Sequence, residues 1–136
     1  MKTFDVQSIE FQTDFHRSFN YIADAMTLPE WAHAFQEVSD GTAVMATPQG
    51  SVLVRLAVNS SAQHGTIDWM MDFPDGSRAT ALSRLIEAGK NRCIYIFTLM
   101  APPVPLEQLE GALEQQAKTL HEELACLANI LSEQND

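Results

Sequence analysis

The chain has 136 residues, 46% of them hydrophobic, and a formal net charge of -10 at pH 7. This length predicts one domain over residues 1–136, large enough to bury about two thirds of the surface of the unfolded chain. Only eight lysine and arginine residues occur and they are scattered, so we expect no nucleic-acid partner, because phosphate binding needs a clustered basic surface. Since no run of about 18 apolar residues occurs, we also expect no membrane span.

The first part of the chain predicts a strand followed by a helix. Residues 3–11 alternate loosely between apolar and polar side chains, which is typical of a strand packed on one side. Thr13 or Asp14 can then cap a helix that runs to about Asp24, because both side chains can accept a hydrogen bond from the first helical turn.

A second, short helix is predicted around a proline. Pro29 favours the first turn of a helix, since its missing N–H group is not needed there. The helix begins near Leu28 and ends near Phe35. Its spacing then places Trp31 and Phe35 on the same side.

From Gln36 the apolar period changes to two, which predicts a series of strands joined by short turns. With the first strand, the segments near 42–47, 51–59, 64–73, 78–88 and 91–100 make an antiparallel sheet of about six strands. Gly41 can alternatively be a bulge or kink within the second strand. The turn signals are Asp40-Gly41, Pro48-Gln49-Gly50, Asn59-Ser60-Ser61, Pro74-Asp75-Gly76 and Gly89-Lys90-Asn91.

The hairpin registers define which side chains share a face. A turn at residues 59–62 pairs Arg55 with Asp68 and places both on the outer face, together with Asp72. The same alternation of residues between the inner and the outer face also fits the next two hairpins, which supports the assignment of faces. The other predicted neighbours are Asp72 with Arg78, Trp69 with Ala81, Tyr95 with Ser83 and Phe97 with Ala81.

The inner face mixes large side chains with very small ones. Small residues on a concave face leave room for a helix, a ligand, or both. The large residues are Trp69, Met71, Tyr95 and Phe97, and the small ones are Ala79, Ala81 and Ser83.

A long helix is predicted to end the chain. The prolines of 102–105 end the sheet region, because proline cannot continue a ladder, and a helix of about 27 residues follows to about Leu131. Its alanines widen the apolar stripe, as in a helix lying on a sheet, although leucines seven residues apart are also compatible with a coiled-coil dimer. Monomer and homodimer therefore both stay open. The stripe includes Leu106, Leu109, Leu113, Ala117, Leu120, Leu124, Leu127 and Leu131.

Several short segments, met in the order strand, two short helices, meander and long helix, carry a resemblance to known proteins. They are Phe19-Asn20-Tyr21-Ile22-Ala23-Asp24, Leu28-Pro29-Glu30-Trp31-Ala32, Ile67-Asp68-Trp69, Ser83-Arg84-Leu85, Phe97-Thr98-Leu99 and Glu122-Glu123-Leu124 with Leu127. In these segments the chain resembles the START and Bet v 1-like (SRPBCC) superfamily, particularly its bacterial polyketide cyclase/dehydrase-like branch. The resemblance covers nearly the whole chain and implies the helix-grip fold of the α+β class.

The resemblance also implies a function. Relatives hold lipids, sterols, hormones or polyketides in a cavity between the sheet and the long helix, so a hydrophobic small molecule is the expected partner. A cyclase/dehydrase-type enzyme and a protein-interaction or co-chaperone module without a ligand are the alternatives. The predicted cavity residues are Trp31, Phe35, Trp69, Met71, Ala81, Ser83, Tyr95, Phe97, Leu113, Ala117 and Leu120.

Chemical motifs are sparse. The four histidines have no metal-binding spacing, and no nucleophile elbow, P-loop or dinucleotide motif occurs, so neither a metal nor a cofactor is predicted. Tyr95 is a weak candidate for a general acid, although a hydroxyl that bonds to the backbone is the commoner role. Cys93 and Cys126 are expected to be buried free thiols, and the N-terminal residues lack a signal-peptide core, which together predict a cytoplasmic protein.

Overall fold

The computed structural model describes residues 3–47, 50–101 and 106–134, and of residues 106–110, 133 and 134 it describes the backbone alone. Its long C-terminal helix and curved antiparallel sheet confirm the predicted helix-grip architecture. A single 3-10 turn, Ala25–Thr27, lies between the first two helices. The elements are β1 (Phe4–Phe11), α1 (Phe15–Ala23), α2 (Leu28–Trp31), β2 (Phe35–Ser39), β3 (Thr42–Thr47), β4 (Gly50–Ser61), β5 (Thr66–Asp72), β6 (Arg78–Glu87), β7 (Cys93–Met100) and α3 (Leu106–Gln134).

The described sheet has seven strands in the order β1-β7-β6-β5-β4-β3-β2, so the prediction of about six was wrong by one. The missed strand is β2. Helix α2 ends at Trp31, because the backbone of Ala32 leaves the helical region at φ -100° and ψ 88°. Phe35 therefore begins a strand rather than ending a helix. Phe35 was assigned to the helix because it lies four residues after Trp31, a spacing that is also typical of residues on one face of a helix.

The Asp40-Gly41 signal is the turn between β2 and β3, with Gly41 at φ 78°. The alternative of a bulge within one strand at Gly41 was therefore wrong. The irregularity of this hairpin lies instead between Phe35 and Glu37, where the register shifts. The predicted Pro48-Gln49 turn and the 102–105 break fall outside the described residues.

The register of the β4–β5 hairpin was predicted wrongly. Arg55 pairs with Asp72 rather than with Asp68, because Asn59-Ser60-Ser61 remains within the β4 ladder and residues 62–65 make the turn. Gly65 fixes that turn: it has φ 73°, and a Cβ at this position would lie 2.2 Å from the carbonyl oxygen of Leu85. Since the shift is an even number of residues, every side chain keeps its predicted face.

The later registers are partly as predicted. Trp69 lies opposite Ala81 and Asp72 opposite Arg78, which confirms the β5–β6 pairing. In the β6–β7 pair, however, Tyr95 lies opposite Leu85 rather than Ser83, and Phe97 lies opposite Ser83 rather than Ala81. This two-residue error again leaves the faces unchanged.

Helix α1 closes one end of the sheet. Its N-cap is Asp14, whose Oδ2 accepts a hydrogen bond from the backbone N–H of Arg17 at 3.1 Å. Phe19 and Ile22 point into the core. Thr13, the other predicted cap, is instead buried and hydrogen-bonded to the hydroxyl of Ser18.

Helix α3 lies against the sheet of its own chain. Its buried leucines within the described part of the chain are Leu113, Leu120, Leu124, Leu127 and Leu131. Gln7 Nε2 of β1 donates to the carbonyl oxygen of Ala117 at 2.7 Å, which ties the helix to the edge strand. The leucine seam is therefore used within one chain. Both cysteines are free, but only Cys93 is buried; Cys126 is half-buried, contrary to the prediction.

Candidate functional site

The inner face of the sheet has two ends that differ in how well they are covered. At the closed end, defined by Phe11, Leu85, Tyr95, Leu127 and Leu131, no residue is more than 1% exposed. Apolar residues at the other end are only half-buried, and we call this the open end. It consists of Phe35, Met45, Val52, Phe73, Ala79 and Leu99.

Strand pairing makes the open end one continuous surface. Met45 of β3 lies opposite both Phe35 of β2 and Val52 of β4. Phe73 follows directly after β5, and Ala79 of β6 lies opposite Met71. The half-buried apolar side chains therefore form one patch on the concave face rather than scattered exposed positions.

The predicted cavity residues all lie in or beside the core. Phe35 and Ala117 are half-buried. Leu113 is buried but lies outside the contiguous core cluster that contains Leu120. The remaining predicted residues are all at most 9% exposed: Trp31, Trp69, Met71, Ala81, Ser83, Tyr95, Phe97 and Leu120.

Four of these residues form a continuous aromatic row. The ring centroids of Trp31 and Trp69 are 6.3 Å apart, those of Trp69 and Phe97 6.0 Å, and those of Phe97 and Tyr95 6.3 Å. These separations suit edge-to-face and offset contacts. The row therefore links α2 to the closed end of the sheet through the middle of the inner face.

Three polar atoms in the aromatic row have no hydrogen-bond partner among the described residues. They are Nε1 of Trp31, Nε1 of Trp69 and the hydroxyl oxygen of Tyr95, all of them buried. The interpretation of Tyr95 as a hydroxyl bonded to the backbone was therefore wrong. Each such buried group costs about 1–3 kcal/mol, so this concentration in one place is unusual for a folded protein.

Ser83 does not relieve Tyr95. The Ser83 hydroxyl donates its hydrogen to the carbonyl oxygen of Ile67 at 2.6 Å, and its oxygen does not lie in hydrogen-bonding geometry to accept from the Tyr95 hydroxyl. Burial raises the pKa of Tyr95 well above the usual range, and the nearby Ser83 hydroxyl lowers it only in part. The phenol is therefore a hydrogen-bond donor at neutral pH and a poor source of protons, which weakens the idea that it acts as a general acid.

Met45 and Leu99 belong to the open end but were missed as site residues. A signal for both was present in the alternation of their strands. Ala43 and Met45 share one face of β3, and Tyr95, Phe97 and Leu99 share one face of β7. Continuing each alternation by one more step identifies them.

Polar contacts connect the two short helices to each other and to α3. Tyr21 donates its hydroxyl hydrogen to the carboxylate of Glu30, and Cys126 Sγ lies 3.7 Å from the carbonyl oxygen of Glu30. Burial raises the pKa of Glu123, while the backbone N–H groups of His33 and Ala34 oppose that shift. These contacts fix the position of α2 and thereby that of Trp31.

The outer face of the sheet is polar in its middle and carries exposed apolar side chains near β1 and, at Leu53, on β4. Arg78 donates to both carboxylate oxygens of Asp72, at 2.6 and 3.2 Å, and this contact lowers the pKa of Asp72. Two open depressions of about 740 and 250 Å³ border this face. Its most exposed apolar residues are Phe4, Val6, Leu53, Leu82 and Met100.

Two features are absent from the described ranges, 3–47, 50–101 and 106–134: a cluster of metal-ligand side chains and a helix that could span a membrane. In these ranges no three histidine, cysteine, aspartate or glutamate side chains gather as metal ligands would. None of their helices combines the length and the apolar character needed to cross a membrane.

No protein-family model matches the chain, and neither does any curated protein. Solved structures share its fold. A START superfamily protein from Mycobacterium smegmatis has a TM-score of 0.70 at 12% identity, covering 97% of this chain and 99% of that one. The ZhuI aromatase/cyclase from Streptomyces sp. R1128 has a TM-score of 0.67 at 8% identity, covering 97% and 92%. The di-domain aromatase/cyclase StfQ of the steffimycin biosynthetic pathway has a TM-score of 0.65 at 10% identity, covering 96% of this chain and 45% of that one.

Proposed function

We propose that this chain, which shares its fold with START superfamily proteins and aromatase/cyclases, binds a hydrophobic small molecule such as a lipid or a polyketide. The ligand enters at the open end and lies between the sheet and α3. The two free thiols favour a reducing compartment, so the proposed location is the cytoplasm.

The observation that carries the proposal is the incomplete cover of the inner face. Apolar side chains of five strands, together with Phe73 just after β5, are half-buried at the open end, although they point to the concave side of the sheet. Covering apolar surface is favourable by about 25 cal/mol per Å². A ligand that fills this end therefore gains free energy from surface that the chain itself leaves partly in water.

Small side chains beside the open end support the same placement. Ala81 lies between Trp69 and Leu99 in the register of the sheet, and it is 9% exposed. Ala79 lies opposite Met71. A sheet that needed only a filled core would gain from larger side chains at both positions.

Native mass spectrometry of the purified protein tests the proposal directly. We expect a reproducible extra mass that is lost on denaturation and whose value identifies the class of ligand. The same spectrum reports whether the protein is a monomer or a homodimer. A bare mass, together with no binding of the neutral dye Nile red, would contradict the proposal.

Ala81→Phe provides the matched test of position. The added ring fills the space between Trp69 and Leu99, so we expect the dye to bind far less while the circular dichroism spectrum stays that of the folded protein. The control is Ala57→Phe, the same change at an exposed position on the outer face, opposite Met70. Equal dye binding by the two variants would contradict the location of the site.

A further inference from the structure

We infer that the ligand is a flat aromatic molecule that carries hydrogen-bond acceptors and few donors, and that Trp31, Trp69 and Tyr95 recognise its oxygen atoms. The inference rests on the proposed function and narrows the class of ligand. It follows from the chemistry of the three unpartnered atoms of the aromatic row.

All three atoms offer a proton. An indole N–H group only donates, and a tyrosine hydroxyl donates through its single hydrogen. In addition, the Trp31 and Trp69 side chains are each only 2% exposed and that of Tyr95 is 0% exposed, so water does not reach them. The row therefore concentrates donors where the solvent cannot satisfy them.

The protein offers these donors no acceptor within the described residues. The nearby Ser83 hydroxyl donates its hydrogen to the carbonyl oxygen of Ile67, and its oxygen is not in hydrogen-bonding geometry with the Tyr95 hydroxyl. Asp68, whose charge raises the pKa of Tyr95, lies on the outer-face side of β5, where its Oδ1 accepts from the backbone N–H of Ser83 at 3.4 Å. Acceptors must therefore come with the molecule that enters.

The shape of the row favours a planar ligand. The rings of Trp69 and Phe97 are inclined by only 27° at a centroid distance of 6.0 Å, whereas Trp31 and Trp69 meet at 62°. A flat ring system that packs beside these rings makes the same kind of aromatic contact with them. A saturated acyl chain fills the same space but leaves the three donors unpaired, and a sugar or an amine brings donors for which the row has no acceptor.

The test compares two probes of nearly equal shape, fluorene and 9-fluorenone, in which a CH2 group is replaced by a carbonyl. Fluorene is the more hydrophobic of the two, so a site without usable donors prefers it. We expect 9-fluorenone to bind about tenfold more tightly, which corresponds to one good hydrogen bond. The dissociation constants are measured by isothermal titration calorimetry or ligand-observed NMR.

The chain contains only two tryptophans, so an amide ¹⁵N–¹H spectrum shows two indole N–H signals. On addition of 9-fluorenone we expect at least one of them to move downfield, as it does when an N–H group gains an acceptor. Fluorene should produce only ring-current shifts. This measurement needs no variant and is therefore independent of any effect of mutation on folding.

The two tyrosines of the chain provide a matched pair of variants. Tyr95→Phe should reduce the preference for 9-fluorenone over fluorene and raise the melting temperature of the ligand-free protein, because it removes an unsatisfied hydroxyl. Tyr21→Phe, which removes a hydroxyl bonded to Glu30 outside the row, should leave the preference unchanged.

The outcomes separate the two proposals. Tighter binding of fluorene with unshifted indole signals would overturn the acceptor inference and leave hydrophobic-ligand binding in place. Failure of both probes to bind, with a bare native mass, would overturn both.

Discussion

The closed and open ends of the inner face belong to one sheet, yet they are covered differently. At the closed end Tyr95, Leu127 and their neighbours are buried almost completely. At the open end Met45, Val52 and Leu99 keep part of their apolar surface uncovered. Both ends present the same alternation of side chains, so the difference comes from the elements packed above the sheet.

This difference shows how one face can serve both stability and binding. Tightly packed regions hold most of the free energy of folding, whereas regions with few covering contacts open at low cost. The aromatic row runs from α2 through the middle of the inner face to the closed end and carries unpartnered donors. We therefore expect substitutions of the apolar residues at the closed end to change stability, and substitutions at the open end or of the donors in the aromatic row to change binding.

The largest effect is expected at Gly65, on the closed end beside Leu85. Gly65→Ala should destabilise the protein by about 4 kcal/mol or more, since the new Cβ meets a backbone oxygen that cannot move aside. Gly76→Ala is the matched change in the β5–β6 turn, where φ is 91° but the surrounding space is free. It should cost only about 1–2 kcal/mol, the strain of a left-handed residue. Chemical denaturation measures both, and equal losses would contradict the assignment.

A pair of leucines tests the comparison next. Leu127→Ala, at a position that is 0% exposed, should reduce the free energy of unfolding by about 3 kcal/mol, because it leaves a cavity in a packed region. Leu99→Ala at the half-buried open end should cost about 1 kcal/mol and weaken the binding of Nile red. If Leu99→Ala is the more destabilising of the two, the closed and open ends do not differ as described.

The cysteines provide a pH-dependent test. Burial raises the pKa of the Cys93 thiol to about 11 from an ordinary value of 9.0. The unfolded chain therefore loses this proton first, and the contribution of Cys93 to stability is present below pH 9 and lost as the pH rises towards 11. Cys93→Ala should reduce the pH dependence of the unfolding free energy in that window.

Thiol labelling checks the same environment without unfolding. At pH 8 a thiol reagent should modify the half-buried Cys126 and leave the buried Cys93 unmodified until denaturant is added. Rapid modification of both cysteines would show that the closed end opens readily.

The smallest effect is expected on the outer face. Arg78 lowers the pKa of Asp72 through two hydrogen bonds, but both side chains are exposed, so solvent screens the pair. The contribution is present at neutral pH and is lost as the pH falls through the lowered pKa of Asp72. Asp72→Asn should therefore destabilise the protein less than Leu99→Ala at pH 7, and the difference from the parent should vanish in acid. A larger loss than that of Leu99→Ala would contradict this account.

The faces of the sheet could be predicted from the sequence because the alternation of side chains alone determines them. A register that is wrong by an even number of residues leaves every side chain on its predicted face. The registers themselves could not be predicted. Asn59-Ser60-Ser61 has the composition of a turn, but the turn was set by Gly65, whose left-handed backbone approaches Leu85 in a different strand. Such a close approach is a property of the folded chain and has no local sequence signal.

The candidate site divides in the same way. The sequence identified most of the buried residues of the inner face, including the whole aromatic row. It did not show that Trp31, Trp69 and Tyr95 lack partners, because that depends on which polar groups neighbouring elements bring within reach. Nor did it show the open end, which depends on where α3 lies.

The order of strands has a consequence for how the chain is made. Every described strand from β2 to β7 pairs with its neighbour in sequence, whereas β1 pairs only with β7, joining Phe4 to Met100. During synthesis β1 therefore stays unpaired until β7, its partner, has left the ribosome. Pairing between strands so far apart in sequence slows folding. Asp5 and Glu10 place charges along β1, which discourages it from pairing with the edge of another nascent copy.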